Sequence, residues 1–190
     1  MSAIDLGRPL LALARNAIAA EFGLPVAAIA PDEILDRNAA TFVTLTQEGE
    51  LRGCVGTLAP LRPLRVDVQR NAVGAAFRDQ RFAPLARGEF ELIAIEVSLL
   101  TRSETLRAAD EDELLLQLRP GVDGVTIEYG ASRATFLPQV WEHLPAPRGF
   151  MAELKRKAGL PPAFWHAEIG VSRYQVTKWK ESDLVRVRHP

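Results

Sequence analysis

The only cysteine of the chain lies in Leu51-Arg52-Gly53-Cys54-Val55-Gly56-Thr57, between two glycines and two residues after an arginine. The thiolate is the nucleophilic form of cysteine, and a neighbouring cation enriches it. This stretch is therefore the first candidate for chemistry. Phe42 to Thr46 reads as a strand and Glu48-Gly49 as a tight turn, which makes the stretch the return strand of a hairpin. Side chains alternate along a strand. Arg52, Cys54 and Gly56 would then share one face, and Leu51, Val55 and Thr57 the other. A glycine inside a strand marks a bulge or a close approach by another group. Two readings stand side by side: a thiol opened to solvent by the missing side chains, or a small apolar residue packed in a core. A bulge at Gly53 would shift the register and part Arg52 from Cys54.

Glu96 is the next candidate. Leu92 to Leu100 alternates as a strand with Ile93, Ile95, Val97 and Leu99 on one face. The other face is also largely apolar, and a carboxylate buried there needs a partner. Arg52 is the expected partner if the two strands are neighbours. Glu96 acting as acid or base on a substrate held at Cys54, and Glu96 on a wet face, are the alternatives. The loop from Thr57 to Arg65 carries Arg62 and Arg65 and leads into a helix, whose start is a ready anion site; solvated arginines are the plainer reading. A histidine is the usual activator of a thiol, but nothing brings His143 or His166 to Cys54.

The elements that must position these residues follow from periodicity and punctuation. A helix is expected over Pro9–Phe22, closed by Gly23, and a second over Leu64–Arg78 with Leu64, Val68, Ala72 and Ala75 on one stripe. Asp110 to Leu118 reads as a helix, with Asp110 and Glu113 at capping-box spacing. Val122–Tyr129 and Ala134–Leu137 form a second hairpin, and Glu128 and Arg133 are expected at its surface. A helix over Pro147–Ala158 ends at Gly159, with Lys155-Arg156-Lys157 opposing the helix dipole in its last turn; a phosphate-binding patch is the alternative. Glu168–Lys178 is the last strand, and 183–190 a polar tail. Hairpins not strictly alternated with helices give an α+β fold with antiparallel pairing.

Composition bounds the function. The chain has 190 residues, 47% hydrophobic and 25% charged, with 23 basic and 24 acidic side chains. That size suits one domain or two tightly joined subdomains. A net charge of −1 supplies no field to steer the chain to nucleic acid or an anionic membrane. No apolar run approaches a membrane span, which takes roughly 20 residues, and no signal peptide is visible, so a cytoplasmic protein is expected. One cysteine and three histidines exclude a disulfide framework and a multi-cysteine metal site. No glycine-rich phosphate loop points to a nucleotide, and no cofactor is expected.

Leu51-Arg52-Gly53-Cys54-Val55-Gly56 resembles the signature hexapeptide of the AMMECR domain family (AmmeMemoRadiSam system protein A), with Val55 where isoleucine is usual. Further segments match in order: residues 76–85 (Ala76 to Leu85), Ile95 to Leu100, Gly121 to Val125, Leu137 to Val140, and Lys157 to Leu160. The resemblance covers roughly Leu10 to Lys180. It implies an antiparallel sheet flanked by helices with a smaller α/β subdomain appended, hence one AMMECR-like domain of two subdomains over residues 1–182, with the signature in a cleft. It also marks Asp79 and Arg81 as a site-shaping ion pair, with a loop-fixing pair as the alternative. Phe82 is expected to plug the core. On the enzyme reading Cys54, Arg52 and Glu96 are catalytic, and Gly53, Gly56, Thr57, Asp79 and Arg81 contact a small or anionic substrate. The family's association with a Memo protein and a radical SAM protein implies partners in a shared pathway. The alternative is a non-catalytic binding or adaptor module of that system.

Overall fold

The computed structural model describes the backbone of residues 6–186 and the side chains of 6–183. The chain forms two compact units, one running through Leu100 and resuming at Thr177, the other Thr101–Val176. Both are built on antiparallel sheets with helices, so the fold is α+β.

The first unit begins with α1 (Gly7–Glu21). Gly23 ends it at φ 66°, with its own N–H bonded to Ala20 O and that of Leu24 to Ala19 O. This is a Schellman closure, which needs a left-handed residue at that position. The chain then makes the hairpin β1 (Asn38–Gln47) and β2 (Glu50–Gly56). Glu48 and Gly49 both have positive φ, as a two-residue primed turn requires. A two-residue strand β3 (Arg62–Pro63) precedes α2 (Leu64–Phe77), and β4 (Ile93–Leu100) follows. The sheet runs β2-β1-β4-β9, with β9 (Val176–Lys180) at the far edge and β3 on the end of β1. Val43, Leu45, Ile95 and Val97 point to one face and pack with Leu10, Leu11, Ala14 and Ile18 of α1 and Val68, Ala72 and Ala75 of α2.

Two expectations for the chain's end change. The last strand is split at Gln175 into β8 (Gly170–Tyr174) and β9, which serve different sheets. Residues 183–186, expected in a tail, belong to a helix, α5 (Glu181–Arg186), and Glu181 accepts hydrogen bonds from Arg15 and from the Ile95 N–H. The rest of that stretch lies outside the described residues.

The second unit holds β5 (Glu104–Leu106), α3 (Glu111–Gln117), β6 (Gly124–Tyr129), β7 (Ser132–Phe136), α4 (Pro147–Lys157) and β8, with strand order β5-β8-β6-β7. Asp110 caps α3 by accepting from the Glu113 N–H, while Glu113 reaches back to the Ala109 N–H. Trp141 stacks on Phe150 at 3.7 Å over a core of Val125, Ile127, Met151 and Leu154. The basic run on α4 is no open patch. Lys155 is fully buried and donates to Glu111 at 2.7 Å and to the Pro162 carbonyl, and Arg156 pairs with Glu153. Glu128 and Arg133 pair at the surface. Among the described residues, no helix is long and apolar enough to cross a membrane.

Candidate functional site on the signature strand

The hairpin register decides where the thiol points. Gly56, Val55, Cys54 and Gly53 lie opposite Phe42, Val43, Thr44 and Leu45, but Leu51 lies opposite Thr46. Arg52 is therefore the extra residue of a β-bulge, which parts it from Cys54. Cys54 faces away from the helices, half-buried, with its Sγ 3.4 Å from Thr44 Oγ1. Thr44 also lies opposite Glu96 of β4. Directly opposed residues share a face, so Cys54, Thr44 and Glu96 form a row across three strands. The backbones of Cys54 and Glu96 sit two strand spacings apart, about 10 Å.

Glu96 does not meet Arg52, because β1 lies between their strands. Its carboxylate instead faces Lys178 and Lys180 of β9 at 3.7 and 3.4 Å. Arg52 turns to Glu89, giving two hydrogen bonds of 2.8 and 3.0 Å, and donates a third to the Ala83 carbonyl. That bidentate contact, with its charge, raises the Arg52 guanidinium above its ordinary value. The hydrogen bonds from Arg52, aided by that from the Ala86 N–H, lower the Glu89 carboxyl. Phe82 lies outside the core cluster, half-buried against the guanidiniums of Arg52 and Arg81 at 6.0 and 5.6 Å.

The glycines do not open a hollow at the sulfur. A Cβ on Gly53 would stand 2.1 Å from the Ala75 carbonyl oxygen, and one on Gly56 would stand 2.2 Å from the Phe42 ring. Gly53 lets α2 approach the sheet, and Gly56 leaves room for the ring beside Cys54.

Asp79 and Arg81 hold the open edge of β2. In an antiparallel pair alternate residues turn N–H and C=O outward, and Cys54 is one of these. Its N–H donates to Asp79 Oδ2 at 2.8 Å, and its carbonyl accepts from Arg81 at 3.4 Å. The two side chains also bind each other at 2.6 and 2.9 Å. This clasp stands where a further strand would pair. Hydrogen bonds from Arg81 hold the Asp79 carboxyl well below the usual carboxylate range, and the Cys54 N–H adds to the effect. Asp79 raises Arg81 in turn, with a smaller contribution from the Cys54 charge. Arg81, not Arg52, is the cation that reaches the cysteine, through its backbone carbonyl.

Thr57 closes the signature over a buried carboxylate. Asp67, fully buried, accepts from Thr57 Oγ1, from the Thr41 N–H and Oγ1, and from Asn71 Nδ2 at 2.7–3.0 Å, with Arg62 at 3.4 Å. Arg65, the other loop arginine, pairs with Asp36. Among the described residues, no group of three or more His, Cys, Asp or Glu side chains could hold a metal ion.

The AMMECR1 family profile matches residues 11–179. The chain belongs to the AMMECR1 family. Among curated AMMECR1 relatives, Protein MJ0810 of Methanocaldococcus jannaschii is 39% identical over 150 residues, covering 75% of this chain and 72% of the relative. A protein of Methanothermobacter thermautotrophicus is 36% identical over 186 residues, 93% of this chain and 95% of that one. The crystal structure of the uncharacterised protein PH0010 from Pyrococcus horikoshii superposes with a TM-score of 0.81 at 29% identity, over 93% of this chain and 92% of that one. The family resemblance and the α+β fold read from the sequence are thereby established.

Sequence reasoning about this AMMECR1 chain passed over Thr44, Glu89, Asp67 and Asn71. Asp67 and Asn71 did carry a signal. They fall three and seven residues after Leu64, on the same buried stripe as Val68, Ala72 and Ala75. Polar residues at core positions must find partners.

Proposed function

We propose that this AMMECR1-family chain is an enzyme that uses Cys54 as the nucleophile on a small anionic molecule laid across the sheet face opposite α1 and α2. The supporting observation is the half-exposed thiol in line with Thr44 and Glu96, its backbone held by the Asp79–Arg81 clasp. Thr44 Oγ1 would fix the sulfur, and Arg81 would supply the nearby positive charge. Glu96, flanked by Lys178 and Lys180, would meet the far end of the substrate about 10 Å away. Arg52 becomes a positioning residue, holding the 83–89 loop through Glu89. Gly53 and Thr57 shape the strand from behind, and Gly56 shapes it on the sulfur's own face. The Memo-family and radical SAM proteins implied by the family's association would supply or consume the substrate.

A second reading is favoured by one observation: both signature glycines and Arg52 are fully used in packing and pairing. On that reading the motif builds a rigid binding or adaptor surface for the same partners, and the thiol is incidental. Alkylation separates the two. Cys54 is the only cysteine, so uptake of iodoacetamide reports it without background. The enzyme reading expects the folded protein to label at least as fast as a free model thiol, and a Thr44→Val variant to change the rate. Labelling only after urea is added would leave the adaptor.

A further inference from the structure

A pocket of about 630 Å3 lies beside the end of β2, away from the sulfur. Its lining combines the apolar Val55, Val73 and Gly74 with polar groups that include Arg62, Arg70 and Arg78, and Glu21 is its sole acid. Arg62 is already engaged with the buried Asp67. Arg70 and Arg78 are exposed and form no ion pair among the described residues. The pocket therefore presents two guanidiniums without an ion pair among the described residues, against the single carboxylate of Glu21. Gly56 adds to it. Like Cys54 it is an outward-facing residue of the edge strand, so its N–H turns away from β1 on the edge that borders the pocket.

We infer that this pocket is a binding site for a small oxyanion ligand, a phosphate or carboxylate carried on a partly apolar body. Guanidiniums bind both oxyanions through paired N–H donors, and a free backbone N–H completes such a cradle. Apolar lining residues with a few convergent polar groups are the usual make-up of a small-molecule site. An added peptide strand fits less well, because the unclasped edge is one residue long and strand addition needs a row of main-chain bonds. Cys54 is not among the lining residues, so this inference stands apart from the thiol chemistry.

The test is calorimetric titration of the full chain with inorganic pyrophosphate and, separately, citrate, at a constant ionic strength of about 0.15 M. We expect a sub-millimolar Kd for at least one probe, the tighter one naming phosphate or carboxylate as the source. The Arg70→Ala/Arg78→Ala double variant should bind about 10-fold more weakly or worse. Both side chains are exposed, and an unchanged circular dichroism spectrum checks the fold. Glu21→Gln should bind more tightly. Arg102→Ala, an exposed arginine of the other unit, should bind as the parent does. Cys54→Ser should also bind normally. Absence of binding up to about 10 mM of either probe would overturn the site. So would an equal loss from Arg102→Ala, which would mean diffuse charge attraction. Loss of binding in Cys54→Ser would overturn the separateness of the pocket while leaving the thiol site intact.

Discussion

Replacing Gly53 with alanine tests why the signature needs its first glycine. Gly53 has no positive φ, so conformational freedom is not the reason. Space is. The added Cβ would stand 2.1 Å from the Ala75 carbonyl oxygen, while ordinary contacts begin near 3.4 Å. The shortfall is about 1.3 Å, and the obstructing atom is helix backbone that no rotamer change can move. Either α2 retreats, loosening Val68, Ala72 and Ala75 from the sheet, or β2 leaves its register. Overpacking of this kind costs about 1–3 kcal/mol, and a backbone clash belongs at the upper end. With a urea slope of about 2 kcal/mol/M, a loss of about 3 kcal/mol lowers the midpoint by about 1.5 M. Urea titration followed by circular dichroism, in the transition that unfolds this unit, reads that shift. Gly56→Ala gives a contrast, because its Cβ meets the Phe42 side chain. Adding Phe42→Ala should therefore recover part of the loss at 56 and nothing at 53. A Gly53→Ala midpoint within about 0.3 M of the parent, an energy cost well under 1 kcal/mol, would refute the packing account.

Two further predictions concern the loop that flanks the strand. Arg52→Ala and Glu89→Ala should each destabilise the chain, with a double-mutant coupling of about 1 kcal/mol, since the pair is bidentate but partly exposed; zero coupling would mean that the contact holds nothing. The depressed Asp79 carboxyl makes its stabilisation present above the unfolded carboxylate value, about 3.9, and lost as pH falls from there through the still lower folded value. The stability difference between the parent and Asp79→Asn, about 1–2 kcal/mol, should therefore stay flat from pH 8 to about 5 and shrink only below that. Urea midpoints against pH check this, and a difference that titrates near neutrality would contradict the clasp.

The chain's local signals were legible because their partners lie within a few residues. Glu48-Gly49 specifies the hairpin turn, Gly23 the closure of α1, and Asp110 the start of α3, each through backbone conformation or a bond spanning no more than five positions. The segments that mark the AMMECR1 family lay in the sequence too. The site's pairings did not. Arg52 finds Glu89 across 37 positions, and the Cys54 N–H finds Asp79 across 25. Neither spacing carries a periodicity to read.

The sequence alone determined most of the strands and helices, and that a lone thiol sits between glycines on the return strand of a hairpin. Only the tertiary structure decided what surrounds it. Inserting β1 between β2 and β4 sent Glu96 to the lysines of β9, and one bulged residue turned Arg52 from the sulfur toward Glu89. Strand order and register are set by the sum of packing across the whole sheet, so no window of the chain contains them.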